Sequence, residues 1–208
     1  MVAAFDVKIV LQDEKTSSSS QQKEIGMELV KTEIPDVVII KPRIFYDDRG
    51  CFFETYNEQA FAELGITTQF VQDNQSVSKK GVLRGLHFQN PPYAQAKLVR
   101  VISGKVIDYA MDIRKGSPTY GKYVSAELSA ENHCMFYIPA GFAHAFVALE
   151  DNTVFFYKCS NFYNKASEGC IRWNDPTLNI RWQIDNPIVS EKDACGELFA
   201  DFQTQFIY

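Results

Sequence analysis

The sequence contains no long apolar run and no excess of positive charge. No apolar stretch approaches the roughly 18 residues needed to cross a bilayer. The N-terminal segment of the sequence lacks the basic start and apolar core of a signal peptide. Lys and Arg total 21 against 26 Asp and Glu, a formal net charge of −5. The overall field therefore does not favour nucleic acid or anionic membranes. We expect a soluble, cytoplasmic protein with neither of these partners, in which local cations meet any anionic ligand.

Paired cysteines are also absent. The five cysteines are odd in number and form no C-x-x-C pair, which argues against a disulfide framework and against a zinc knuckle. We interpret them as reduced residues that mostly serve packing: Cys51, Cys134, Cys159, Cys170 and Cys195.

Helical periodicity is scarce, and strand patterns dominate. In "VIDYAMDI", the side chains of Ile107, Tyr109, Met111 and Ile113 fall on one face, a period of two that is typical of a strand. Several such runs are separated by turn signals such as "SGK", "PAG" and "LEDN". They predict an all-β sandwich or barrel of the jelly-roll type. The interior of such a barrel is a natural ligand cavity.

Composition divides the chain into two parts. The segment "DEKTSSSSQQKE" is polar, rich in serine and without periodicity, so it buries too little to offset its ordering entropy. We predict a mobile N-terminal extension over residues 1–26 and a single domain over residues 27–208, long enough to bury a substantial core. One short helix is predicted over residues 58–64, with Asn57 as its N-cap and Gly65 after its end.

Histidine is rare, and one histidine has unusual neighbours. A lone histidine in an apolar setting is more often structural than catalytic, but Arg84 and Lys97 flank His87 in "GVLRGLHFQNPPYAQAKLVR". Nearby cations favour the neutral, basic imidazole, which suits a general base. In a regular strand Arg84 and His87 face opposite ways, whereas a bulge at Gly85 would realign them. The three histidines are His87, His133 and His144.

The metal-binding pattern of many small β-barrels is incomplete. That pattern has an H-x-H pair, a following Glu and a later His. Gln89 stands at the second histidine position, no Glu follows at a suitable spacing, and only His144 in "PAGFAH" matches the later ligand. Two separated histidines without carboxylate support make a poor divalent-ion site. We expect no catalytic metal.

Four motifs occur in order along the chain: "DDRGCFFETYN", the segment from "FVQDNQS" through "GVLRGLHFQNPPYAQAKLVR" to "SPTYGKY", "IPAGFAHAFVAL" and "IRWNDPTLNIRW". From about Leu29 to Asp193 the sequence resembles the dTDP-4-dehydrorhamnose 3,5-epimerase family, a cofactor-free branch of the cupins. The resemblance implies a double-stranded β-helix (jelly roll) with a few short peripheral helices, and a homodimer. It implies epimerisation of dTDP-4-dehydro-6-deoxy-D-glucose at C3 and C5, through an enolate, to dTDP-4-dehydro-L-rhamnose.

The resemblance also implies catalytic roles. His87 in "RGLH" is the base, Asp193 in "VSEKDACGE" orients it, Lys97 stabilises the enolate oxygen and Tyr157 is the acid. Asp175 in "WNDP" remains a competing partner for His87, although "NDP" is also typical of a turn. The structural alternative for Lys97 is a solvated lysine at the rim of the barrel. The structural alternative for Tyr157 is a side chain that only packs in the core.

Further residues match contacts to the nucleotide sugar. Arginines suit a diphosphate because the guanidinium fork is bidentate, and Tyr163 matches an aromatic residue that stacks on thymine. The implied binding residues are Arg49, Glu54, Gln72, Asp73, Asn74, Arg84, His144, Tyr163, Glu168 and Lys192. Two alternatives remain open. One is a related keto-sugar enzyme that inverts a single carbon or isomerises the ketone, and the other is a nucleotide-sugar-binding cupin without turnover. The choice of carbons depends on pocket shape.

Overall fold

A computed structural model of the chain describes residues 8–9 and 26–208. Almost all of the mobile extension predicted over residues 1–26 lies outside the described residues. No helix in the described part of the chain is long and apolar enough to cross a membrane.

Two six-stranded sheets form the body of the domain, as predicted for a jelly roll. The first contains, in spatial order, β1 (Lys8–Ile9), β10 (Tyr123–Ser129), β9 (Lys105–Asp112), β12 (Phe142–Ala148), β7 (Leu83–Gln89) and β14 (Glu168–Cys170). The second contains β2 (Met27–Lys31), β3 (Val38–Pro42), β11 (Met135–Ile138), β8 (Lys97–Ser103), β13 (Thr153–Cys159) and β6 (Gln72–Ser78). β4 (Phe45–Asp47) and β5 (Gly50–Phe52) form a separate hairpin. These strands pair antiparallel, except that β1 is parallel to β10.

The helices are short and peripheral. The predicted helix is confirmed: the Asn57 side chain accepts a hydrogen bond from Ala60 N at 3.1 Å, and Gly65 follows with a φ of +87°. The second helix begins after Ser190, whose hydroxyl accepts a hydrogen bond from Asp193 N at 3.1 Å. In the described residues, the helical segments are α1 (Glu58–Glu63), α2 (Glu191–Ala194) and a 3₁₀ turn over Lys165–Ser167.

Apolar side chains cover both faces of the first sheet. One cluster fills the space between the sheets and includes Val99, Phe136, Phe146 and Phe155. A second cluster covers the outer face, where the predicted apolar side of β9 packs against Leu178, Trp182, Phe202 and Phe206 of the C-terminal segment. Because β9 therefore directs Asp108 inward, a carboxyl group lies buried inside the barrel.

A bulge interrupts the pairing of β7 with β12. His87 lies opposite His144, and Arg84 lies opposite Phe146. A step of three residues in β7 therefore corresponds to a step of only two residues in β12. Gly85 in the bulge has a φ of +144°, and a Cβ there would lie 2.2 Å from Ala145 Cβ. Any larger residue would clash, so the site requires glycine. The bulge considered from the sequence is present, and the side chains of Arg84 and His87 border the same pocket beside β7.

Candidate active site

A cavity of about 360 Å³ opens between the two sheets at one end of the barrel. β7 and β14 contribute one wall, and β6, β8 and β13 contribute the other. Seven of the residues implied by the family resemblance line it: His87, Lys97, Tyr157, Gln72, Asn74, Tyr163 and Glu168. Phe88, Gln89 and Gln95 complete the lining.

His87 and Asp193 form a hydrogen-bonded pair beside this cavity. His87 Nε2 lies 2.7 Å from Asp193 Oδ1, and Asp193 Oδ2 accepts a second bond from Gly85 N at 3.2 Å. The hydrogen bond from Asp193 N to the Ser190 cap fixes the backbone of the aspartate. The bulge and the helix cap thus bring together a base and a carboxylate from distant parts of the chain.

The pKa of Asp193 determines where the proton shared by Asp193 and His87 lies. Burial alone would raise its pKa, but the hydrogen bond and charge of His87, together with bonds from Gly85 N and Ser190, hold the pKa of Asp193 below its usual value. The carboxylate is therefore ionised and accepts the hydrogen from Nε2. This tautomer leaves the lone pair of His87 on Nδ1, as a general base requires.

Asp175, the competing partner, has a different role. Its Oδ1 accepts hydrogen bonds from Thr177 N at 2.8 Å and Leu178 N at 3.0 Å, and its Oδ2 accepts one from Phe199 N at 2.8 Å. Asp175 is a buried residue that organises a turn, and Asp193 is the carboxylate that contacts His87.

Lys97 and Tyr157 lie on the sheet that faces His87. Lys97 Nζ is 5.7 Å from the centroid of the Tyr157 ring. Burial lowers the pKa of Lys97, although nearby Cys159, Asp108 and Glu168 oppose the shift. Burial also raises the pKa of Tyr157, so the phenol keeps its proton at neutral pH. The cavity thus has a base on one wall, and a cation and a proton donor on the other.

A second imidazole–carboxyl pair lies deeper in the barrel. His144 Nε2 is 3.0 Å from both carboxyl oxygens of Asp108, and both residues are buried. Burial lowers the pKa of His144 well below its ordinary value, and the positive charges of Lys97 and His87 act in the same direction. Burial raises the pKa of Asp108 well above its ordinary value. The structure therefore places a neutral imidazole behind His87, outside the lining of the cavity.

Tyr163 stands at the mouth of the cavity with 56% of its surface exposed. Its backbone N donates to Gln72 Oε1 at 3.0 Å, and its hydroxyl donates to Glu168 Oε2 at 3.3 Å. Glu168 in turn forms an ion pair with Lys192 of α2. These contacts fix the position of the ring while leaving a face open for stacking.

A second cavity of about 440 Å³ lies on the other side of His87. Arg84, Lys192 and Asp193 line it together with His87. Arg84 Nε donates to Ser78 Oγ at 3.3 Å, yet the residue is largely exposed. Two cations, Arg84 and Lys192, therefore stand beside the His87–Asp193 pair, despite the negative charge of the whole chain.

Four implied binding residues lie outside the lining of both cavities, and the buried His144 described above is one of them. Arg49 forms an ion pair with Asp47 at 2.6 Å in the exposed hairpin. Glu54 accepts a hydrogen bond at the start of α1. Asp73 forms an ion pair with Lys158 at 3.0 Å, on the opposite face of β6 from the cavity-lining side chains.

Gln89 has a role that sequence reasoning missed. Its Nε2 donates to Tyr93 O at 2.8 Å and to Phe162 O at 3.1 Å, and its Oε1 accepts from Asn164 N at 2.7 Å. One buried amide thus joins the loop after β7 to the loop that carries Tyr163. The only signal in the sequence was the position of Gln89, where metal-binding barrels carry their second histidine.

Comparison with known proteins tests the resemblance. Residues 31–201 match the family model for dTDP-4-dehydrorhamnose 3,5-epimerase. The chain belongs to this family. It is 53% identical over 176 residues to the dTDP-4-dehydrorhamnose 3,5-epimerase of Shigella flexneri, a match that covers 84% of this chain and 97% of the relative.

Solved structures of family members share the fold. The enzyme from Elizabethkingia anophelis superposes with a TM-score of 0.81 at 53% identity, covering 85% of this chain and 98% of its own. A dTDP-6-deoxy-D-glucose-3,5-epimerase from Legionella pneumophila, solved in complex with dTDP-4-keto-L-rhamnose, gives a TM-score of 0.82 at 46% identity, covering 85% and 95%. The predicted family and jelly-roll fold are confirmed.

Proposed function

We propose that the protein epimerises dTDP-4-dehydro-6-deoxy-D-glucose at C3 and C5 to dTDP-4-dehydro-L-rhamnose, a step in dTDP-rhamnose biosynthesis in the cytoplasm. The observation that carries the proposal is the carboxylate-bound imidazole of His87 facing Lys97 and Tyr157 across one cavity. The family to which the chain belongs supports the same reaction.

The mechanism follows from the positions of these groups. The ketone at C4 acidifies the hydrogens on C3 and C5, and His87 Nδ1 removes one of them while Asp193 stabilises the resulting imidazolium. The Lys97 ammonium stabilises the enolate oxygen. Tyr157 donates its proton to the carbon from the opposite face, which inverts it. Solvent then returns a proton to Tyr157 and accepts the one held by His87.

Binding of the nucleotide uses the mouth of the first cavity and the adjoining second cavity. Tyr163 stacks on the thymine ring, because its face is exposed while its hydroxyl and backbone are held. Gln72 and Asn74 offer amide groups from β6. Arg84 and Lys192 supply the positive charge that a diphosphate requires. No metal ion takes part in this mechanism.

The protein acts as a homodimer. The β4–β5 hairpin carries three large exposed side chains, Phe45 at 52%, Tyr46 at 73% and Phe52 at 69%, and such apolar patches are typical of interaction surfaces. Light scattering at micromolar concentration should give the mass of a dimer. A monodisperse monomer would contradict this part of the proposal.

Two other functions use the same cavity. A related enzyme could invert C3 or C5 alone or isomerise the ketone, and a nucleotide-sugar-binding cupin would have no turnover. A pure binding protein has no use for a carboxylate-bound base opposite a proton donor, so the geometry favours catalysis.

One experiment separates these functions. The protein is incubated with the dTDP-linked 4-keto sugar in deuterated water, and NMR locates the deuterium and the configuration at each carbon. Deuterium with inversion at both C3 and C5 supports the proposal. Label at one carbon indicates a single-carbon epimerase, and no label in the presence of measurable dTDP binding indicates a binding protein.

A further inference from the structure

Cys170 lies next to the His87–Asp193 pair, and the mechanism does not use it. β14 pairs with β7 so that Cys170 is directly opposite His87. One donor atom from each of Cys170, His87 and Asp193 lies within 4.8 Å of the other two. The three donors are a thiol sulfur, an imidazole nitrogen and a carboxylate oxygen.

This donor set suits one class of cation. Mg²⁺ and Ca²⁺ prefer oxygen ligands alone, whereas Zn²⁺ binds sulfur, nitrogen and oxygen in tetrahedral sites. Metal–ligand bonds of about 2.0–2.3 Å place the ligand atoms of such a site roughly 3.5 Å apart. Side-chain rotations that move the donors by about 1 Å would therefore bring this cluster to zinc geometry.

The cluster is accessible to an ion, and its thiol is protonated in the free protein. His87 borders both cavities and its side chain is 31% exposed, so an ion can approach from either side. Cys170 is partly exposed in the edge strand β14. Its thiol donates a hydrogen bond to Ile171 O at 3.6 Å. Burial and the charge of Asp193 raise the pKa of the thiol to about 12, so the ion must displace the proton when it binds.

We propose that Zn²⁺ binds to Cys170, His87 and Asp193 and inhibits the enzyme. On binding, the thiol releases its proton to solvent, and the ring proton of His87 moves from Nε2 to Nδ1 by exchange with solvent. His87 Nε2 then donates its lone pair to the ion, and an oxygen of Asp193 completes the protein ligands, with water in the fourth position. The 2.7 Å hydrogen bond between His87 and Asp193 is lost, so the base loses its orienting carboxylate. The inhibition rests on the proposed function, whereas the metal binding does not.

The alternative is that Cys170 only packs against β7. In that case its replacement by serine, which removes the soft ligand but little volume, would leave metal binding unchanged. Cys195 provides a matched control, because it is an exposed cysteine two positions after Asp193.

Binding is tested with Co²⁺, whose bonds to thiolate give a charge-transfer absorption band. The unmodified protein should give this band, and Zn²⁺ should abolish it by displacement. Cys170→Ser should lose the band and bind Zn²⁺ at least about tenfold more weakly, since even supporting residues of metal sites contribute ~10–100-fold to affinity. Cys195→Ser should behave like the unmodified protein. No band in the unmodified protein, or equal zinc affinity in Cys170→Ser, would overturn the proposal.

Turnover provides the second measurement. Chelator-treated protein should be fully active, Zn²⁺ should inhibit it, and further chelator should restore the rate. Cys170→Ser should keep its basal rate but need at least about tenfold more Zn²⁺ for the same inhibition. A cobalt band without any effect of Zn²⁺ on turnover would overturn the inhibitory role. Absence of turnover in the metal-free protein would contradict the proposed function and leave the cobalt result as the test of the site.

Discussion

Asp193 Oδ1 accepts a 2.7 Å hydrogen bond from His87 Nε2, although the two residues are 106 positions apart in the chain. The Ser190 cap of α2 orients one of them, and the Gly85 bulge orients the other. Gly85 N also donates to Asp193 Oδ2. The same bulge therefore turns the imidazole toward the cavity and binds its carboxylate partner.

Replacing Asp193 should impair catalysis more than binding. In Asp193→Asn the amide can donate to Nε2, which moves the ring proton to Nδ1 and removes the basic lone pair. We expect kcat to fall by about 10²–10⁴-fold, the range for loss of a positioned base, with dTDP affinity nearly unchanged. Steady-state kinetics and calorimetry with dTDP measure the two quantities.

Asp175→Asn is the matched control for this substitution. It removes the acceptor of Phe199 N from a buried turn, which should destabilise the fold by about 1–3 kcal/mol but leave kcat of the folded protein nearly unchanged. A larger fall in kcat for Asp175→Asn than for Asp193→Asn would contradict the assignment.

His87→Asn should abolish base function and spare nucleotide binding. The thymine and diphosphate contacts that we propose lie at Tyr163, Arg84 and Lys192, so the affinity for dTDP should be retained. The rate should fall by about 10²–10⁴-fold. Epimerisation near the original rate would assign the base to another residue.

Tyr157→Phe should uncouple proton exchange from inversion. His87 can remove a proton and return it to the same face, which exchanges it with solvent without changing configuration. Inversion requires a donor on the opposite face, and Phe keeps the ring that packs near Phe155. We expect deuterium to be incorporated at the carbon that Tyr157 serves, while inversion falls much further. NMR of the sugar in deuterated water gives both rates, and a proportional fall in both would leave Tyr157 with a packing role only.

Local patterns explain what the sequence could predict. The period of two in β9, the capping residue Asn57 and the glycine at the bulge each act over a few residues, so their structural outcomes could be read directly. The choice between Asp175 and Asp193 could not be made in this way, because it depends on which distant turn reaches β7. The role of Gln89 was hidden for the same reason, since its partners are backbone groups of separate loops.

Gln89→Leu should raise KM more than it lowers kcat. Leucine fills a similar volume but loses all three hydrogen bonds to the loop after β7 and the loop that carries Tyr163, so the nucleotide should bind less well while the His87–Asp193 pair stays intact. Gln89→Glu retains the acceptor for Asn164 N but places a carboxylate oxygen against two backbone carbonyls in a buried site, so it should raise KM at least as much as Gln89→Leu. The exposed Gln59 supplies the control variant, Gln59→Leu. A fall in kcat with unchanged KM would contradict a role in nucleotide binding. It would indicate that Gln89 acts on the chemistry or only on stability.

The alkaline limb of the pH–rate profile should belong to Lys97. Stabilisation of an enolate requires the ammonium form, which is lost as pH rises through the pKa of the lysine. Because burial lowers the pKa of Lys97 from the ordinary 10.5, kcat/KM should begin to fall below that pH. The raised pKa of Tyr157 means that its phenol ionises only above its ordinary value of 10.0. The two pKa shifts have opposite directions, so they favour loss of the ammonium before loss of the acid as the pH rises.

Lys97→Arg tests this assignment, because a guanidinium stays charged at any accessible pH. Its different shape should lower kcat, yet the alkaline limb should move to higher pH, where Tyr157 ionises. Lys97→Met should be nearly inactive throughout, since it has no charge to offer the enolate at any pH. Rates of deuterium incorporation measured over short times across the alkaline range provide the profile. If Lys97→Arg keeps the original limb, another group controls it, and the enolate does not depend on the charge of Lys97.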